Sequence, residues 1–85
     1  MEIEFSARFR KQYNKANEKI KKAFYKRLKL FRQDPFYPLL NNHGLTGKYR
    51  EYRSINVTGD WRAIYSRQGN IIVFEMLGTH SQLYK

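Results

Sequence analysis

The sequence predicts an α+β fold. An N-terminal strand leads into a two-helix hairpin and then a three-stranded antiparallel meander; the strands form one sheet, and the hairpin covers one face as a second layer. Three observations carry that prediction. Apolar residues recur at helical spacing up to Asp34-Pro35 and in strand-like runs after it. The strand-like runs are separated by turns of a few residues, which join antiparallel neighbours. The chain has 85 residues, enough for one thin core and not for two, so residues 1–85 form a single domain.

Glu2-Ile3-Glu4-Phe5 alternates polar and apolar residues and predicts a short first strand. It pairs within the sheet, because a lone strand is not stable. Ser6 offers an N-cap oxygen, and Phe9, Tyr13 and Ala16 follow at helical spacing, so a first helix spans about 7–16. Asn17 either caps a second helix or lies between two turns. Residues 18–33 carry the clearest helical pattern. Ile20, Ala23, Phe24, Leu28 and Phe31 fall on one side, and Lys19, Lys21, Lys22, Lys26, Lys29 and Arg32 fall largely on the other. Arg27 sits inside the apolar stripe, which predicts a helix–sheet edge position with its stem buried. Pro35 ends this helix, since the residue before a proline avoids helical angles. Residues 35–48 read as a loop, with Pro35, Pro38, Asn41-Asn42, Gly44 and Gly47. Tyr49–Val57, Trp61–Arg67 and Ile71–Leu77 are the meander strands, joined at Thr58-Gly59 and Gln68-Gly69-Asn70. Gly78 breaks the last strand, and Ser81–Lys85 is a short tail.

Six Phe, seven Tyr and one Trp give the thin core large buried areas per residue. Seventeen Lys/Arg against seven Asp/Glu give a net charge of +10, which points to a polyanion or an acidic protein as partner. Residues 1–34 hold eleven of the basic residues and four of the acidic ones, so the helical half carries most of the excess. No apolar stretch approaches the roughly 20 residues of a membrane helix. The N-terminal MEIEFSARFRK lacks the apolar region of a signal peptide, so a cytoplasmic location without membrane contact is expected. The absence of cysteine excludes disulfide scaffolds, thiolate zinc sites and Cys nucleophiles.

Candidate chemistry gathers at element edges. The basic face of the second helix has only Glu18 and Asp34 near it, at its ends, so its repulsion goes uncompensated unless a phosphate backbone or an acidic protein binds there. His43 lies in the loop, Asp60 opens the second meander strand, and His80 lies just past the third. In a meander with short turns the end of the third strand approaches the start of the second, so Asp60 and His80 can meet; otherwise they are a surface carboxylate and a loop histidine. The scattered spacing argues against zinc. Arg53 and Arg62, on adjacent strands, read either as surface partners of Glu51 and Glu75 or as a phosphate clamp, because guanidinium donors match phosphate oxygens in pairs. Tyr84 is either a core plug or a stacking face for a base.

The ordered set His43-x-Leu45-x-Gly47, Tyr52-Arg53-Ser54-Ile55-Asn56, Asp60-Trp61-Arg62-Ala63-Ile64-Tyr65 and Gly78-Thr79-His80-Ser81-x-Leu83-Tyr84 resembles the RelE/ParE toxin superfamily, in its YafQ-type branch of messenger-RNA interferases. The resemblance covers about half the chain in motif detail. It implies a RelE-like fold and the toxin of a type II toxin–antitoxin module, acting as a ribosome-dependent endoribonuclease that blocks translation. The implied partners are a cognate antitoxin protein and messenger RNA on the ribosome, with its ribosomal RNA; neither cofactor nor metal is implied. In the implied reaction the ribose 2′-hydroxyl attacks the adjacent phosphate, which requires a base, an acid for the leaving 5′-oxygen, and cations on the phosphoryl oxygens.

Carried over residue by residue, the resemblance makes His80 the general acid, an imidazole being able to hold or release a proton near neutrality. His43 and Asp60 supply the base and its orienting partner, in either order. Arg62 matches an arginine of the RelE branch and, with Arg53, stabilises the transition state. Tyr84 stacks on or orients the scissile nucleotide. RNA binding falls to Arg53, Asn56, Lys22, Lys26 and Lys29. One position departs from the pattern: YafQ-like members often carry histidine where this chain has Asn56, which hydrogen-bonds RNA but cannot exchange a proton near neutrality. The alternative functions are a ParE-like inhibitor of DNA gyrase, a catalytically inactive relative, and a plain basic RNA- or ribosome-binding module. His80 and Asp60 favour the nuclease over the gyrase inhibitor, and the binding module would need the basic helix but not His80.

Overall fold

The computed structural model describes residues 1–84. In chain order they form β1 (Glu2–Phe5), α1 (Ala7–Lys15), α2 (Glu18–Gln33), β2 (His43–Gly44), β3 (Tyr52–Asn56), β4 (Trp61–Gln68), β5 (Ile71–Thr79) and α3 (His80–Leu83), with short 3₁₀ turns at Pro38–Leu40 and Gly47–Tyr49. Ser6 and Asn17 cap α1 and α2, their side chains accepting from Phe9 N and Ile20 N at 3.0 Å. Each cap removes one orphan N–H that a helix start otherwise leaves exposed.

The α+β class and the single sheet are observed, but the sheet is five-stranded and mixed, in the order β1-β5-β4-β3-β2, and is not built on a three-stranded meander alone. The N-terminal strand runs parallel to β5, from Glu2 opposite Ile71 to Phe5 opposite Phe74. The added strand β2 lies inside the predicted loop; two residues pair with Ser54 and Arg53 at the sheet edge, too short a run for any periodicity to reveal. β3 starts at Tyr52 instead of Tyr49, because Gly47 at φ +64° turns the preceding segment into a 3₁₀ turn. Gly78 does not break the last strand, which runs on to Thr79. A Cβ there would lie 3.0 Å from Gln82 Oε1 and 3.3 Å from Leu83 Cδ2, so glycine is what lets α3 close over the strand. The predicted tail holds α3, started by a capping box between Thr79 and Gln82; Lys85 lies outside the described residues.

Both long helices pack on one face. Phe74 lies at the centre of that core, its ring 5.4 to 5.9 Å from those of Phe5, Phe9, Phe24, Phe31 and Tyr65. Arg27 sits at the helix–sheet edge as expected, donating to the carbonyls of Val57 at 3.3 Å and Leu39 at 3.2 Å. The opposite face is covered only in part, by Leu83 packed with Ile64 and Met76 and flanked by Leu45, Tyr49, Tyr52 and Tyr84.

A register shift in β5 decides which face its last residues take. Tyr65 pairs with Phe74 and Ile64 with Met76, leaving Glu75 as the extra residue of a bulge. Without it, strict alternation would send Met76 and Gly78 to the same face as Phe74. With it, Met76 and Gly78 share the face of Ile64 and Arg62, their cross-strand partners. Side chains pin the bulge: Ser6 Oγ donates to the Glu75 carbonyl and Ser66 Oγ to the Glu75 carboxylate, each at 3.0 Å.

Candidate active site

The partly open face carries an exposed pocket of about 310 Å³, lined by His43, Gly44, Leu45, Thr46, Arg62, His80 and Tyr84. Four of the five predicted catalytic residues therefore converge, from the edge strand β2, the central strand β4 and α3.

His43 is exposed, and its Nδ1 lies 2.9 Å from the carbonyl oxygen of Asn41. Asn41 holds a left-handed backbone, φ 45°, a conformation asparagine tolerates better than most residues. A carbonyl can only accept, so Nδ1 carries the proton, and the neutral ring keeps its lone pair on Nε2. His80 opens α3; its backbone N–H donates to the Asp60 carbonyl at 3.0 Å, and its ring lies 4.7 Å from that of Tyr84 at 55°. Tyr84 is half-buried among the apolar residues of this face. Arg62 makes one long hydrogen bond, from a guanidinium nitrogen to the Thr58 carbonyl at 3.5 Å. Among the described residues no acidic side chain lines the pocket, so the guanidinium there is an uncompensated cation.

Several predicted residues lie elsewhere. Asp60 meets His80 as the strand order allows, but through its backbone; its exposed side chain is not part of the pocket wall. Arg53 does not join Arg62. It pairs with Tyr65, whose side chain lies in the helix-covered core, so it takes that side of the sheet. There it donates to Asn42 Oδ1 at 2.8 Å and lies 5.2 Å from the Phe36 ring. The alternative pairing of Arg53 and Arg62 with Glu51 and Glu75 is also not formed; Glu75 is held by Ser66. Asn56 pairs with Arg62 across the sheet. Lys22, Lys26 and Lys29 line, with Lys19 and Arg27, a separate cationic groove of about 830 Å³ whose wall also includes Thr58, the residue whose carbonyl accepts from Arg62. Gly44, Leu45 and Thr46 were not singled out as lining residues. Their adjacency to His43, and the Leu45-x-Gly47 pattern, were the available signals. Among the described residues no group of three or more His, Asp or Glu is arranged to hold a metal ion.

The whole chain, residues 1–85, matches the family described as bacterial toxin of type II toxin–antitoxin system, YafQ. It is similar to the mRNA interferase toxin YafQ of Escherichia coli strain K12, at 34% identity over 50 residues; these cover 59% of this chain and 54% of that protein, so the chain spans about half the length of the curated relative it matches. Among solved structures, YafQ from E. coli strain BL21(DE3) superposes with a TM-score of 0.85 at 25% identity, over 99% of this chain and 98% of that one. The E. coli DinJ–YafQ complex superposes with a TM-score of 0.73 at 26% identity, over 99% and 98%.

Proposed function

Because the chain belongs to the YafQ family of bacterial toxins of type II toxin–antitoxin systems, we propose that it is an endoribonuclease that cuts messenger RNA on the ribosome and so stops translation. The observation that carries this reading is the convergence of two exposed imidazoles and an uncompensated guanidinium on one open pocket. A similar protein is named an mRNA interferase, and a similar structure was solved with DinJ as partner; by that likeness a cognate antitoxin is the protein partner here.

The groups suit transesterification. The lone pair of His43 Nε2 takes the proton of the ribose 2′-hydroxyl, and the freed oxygen bonds to phosphorus. The bond from phosphorus to the 5′-oxygen breaks, and His80 in its charged form gives that oxygen a proton. The products are a 2′,3′-cyclic phosphate and a 5′-hydroxyl, with no metal in the step. Arg62 offers paired donors to the non-bridging oxygens, where charge builds in the transition state. Tyr84 holds the His80 ring from one side and presents its edge to the nucleotide. Asp60 acts through its carbonyl, which fixes the start of α3, leaving His43 as the base. The lysines of α2 meet ribosomal RNA as a phosphate-binding face.

Primer extension on translating messages, with wild type and His80→Ala, tests the reading. Wild type is expected to produce discrete cuts in coding regions, and the variant none. Growth arrest with intact messages would overturn it and favour a gyrase inhibitor.

A further inference from the structure

Asn56 stands directly opposite Arg62, on the pocket face, with Gly78 on the other side of Arg62 in the same cross-strand row. Cross-strand partners bring their Cβ atoms to about 5 Å. Gly78 offers no side chain, so among the described residues Asn56 supplies the side chain directly beside Arg62 in that row. Its Oδ1 is shut off from solvent and finds no hydrogen-bond donor among the described residues. Leaving a buried acceptor unmade is costly, so such an atom in a native site calls for an explanation. Arg62 has donors to spare: a guanidinium carries five N–H groups, and this one makes a single bond at 3.5 Å, the outer limit of useful geometry.

We propose that Asn56 is a positioning residue for Arg62, an inference that rests on the ribonuclease reading. With a phosphate in the pocket, the guanidinium turns away from the Thr58 carbonyl. One edge donates to Asn56 Oδ1, and the other presents paired N–H groups to the non-bridging phosphoryl oxygens. The planar fork makes this effective, because fixing one edge fixes the direction of the other. It also reassigns Asn56: an oxygen without solvent access does not contact RNA itself, but acts through the arginine beside it.

A double-mutant cycle tests the pair. Single-turnover cleavage on message-programmed ribosomes is measured for wild type, Asn56→Ala, Arg62→Ala and the double variant, with the melting temperature of each. Asn56→Ala is expected to lower the maximal cleavage rate by about tenfold, a size typical of coupled neighbours. The toxin concentration giving half-maximal rate stays unchanged, because binding does not use the buried oxygen. In the Arg62→Ala background the same change has no further effect. Asn56→Asp, which keeps the acceptor, restores most of the rate. Should Asn56→Ala fail to fold, Asn56→Leu removes the acceptor while keeping four side-chain heavy atoms branched at Cγ, and carries the cycle. Multiplying effects of the two single changes, a loss confined to binding, or a folded Asn56→Asp as slow as Asn56→Ala overturns the proposal while leaving the nuclease intact. A wild type that cuts no message overturns the ribonuclease reading and this proposal with it.

Discussion

His43 and His80 differ less in exposure than in what holds them, and that difference assigns their proposed roles. The Asn41 carbonyl accepts a hydrogen bond from the Nδ1–H of His43 and leaves Nε2 as an acceptor, whereas His80 has Tyr84 beside its ring and its backbone tied to Asp60. Both rings are exposed, so truncating either is expected to move stability by no more than about 0.5 kcal/mol. Loss of one proton-transfer group lowers a rate by about 10²- to 10⁴-fold, so His43→Ala and His80→Ala should each do so in single-turnover cleavage. A His43→Ala variant cutting at the wild-type rate would return the base to Asp60. The residue types of this site were legible in the sequence, but the face of each strand was not. Arg53 and Arg62 both read as strand arginines. Which side each takes depends on the pairing across the Val57–Asp60 connection, and a one-residue slip inverts the answer. The observed register sets Arg53 against Tyr65, on the core side.

Among the elements, the two helices were readable because sixteen- and nine-residue segments carry several turns of pattern and their caps are local. The pairings at both sheet edges were not. The parallel partner of β1 is some seventy residues away in sequence, and β2 has two residues. The Glu75 bulge was equally hidden, since the residues on both sides of Glu75 are apolar without alternation and give one extra residue no pattern to interrupt. Yet it sends Gly78 and then His80 toward the Arg62 face. Gly78 makes a direct test. Gly78→Ala drives a methyl against Gln82 and Leu83 and is expected to cost about 1–3 kcal/mol, read as a lower melting temperature. Displacing α3 also moves His80, so cleavage should fall even at temperatures where the variant is folded. Unchanged melting and cleavage would show that α3 does not depend on this close approach.

Over the whole molecule, charge and chemistry occupy different surfaces. The net charge of +10 is concentrated on the helical half, and the wall of the lysine groove along α2 includes Thr58, whose carbonyl accepts from Arg62. If that groove meets ribosomal RNA, binding is salt-dependent, with a slope near −0.7 to −0.9 per phosphate neutralised. Changing Lys22, Lys26 and Lys29 together to Gln should flatten the log–log salt dependence of ribosome association by about 2 to 3, and an unchanged slope would move the RNA surface elsewhere. The imbalance of charge was plain in the sequence; its separation from the pocket needed the fold. The most direct test of the central claim, that His43, Arg62 and His80 together perform metal-free transesterification, is the chemistry of the cut ends. Message cleaved on ribosomes is analysed by mass spectrometry, with the toxin pre-treated with a chelator before mixing. The account predicts a 2′,3′-cyclic phosphate on one fragment and a 5′-hydroxyl on the other. A 5′-phosphate, or cleavage lost on chelation and restored only by adding metal to the toxin, would contradict it.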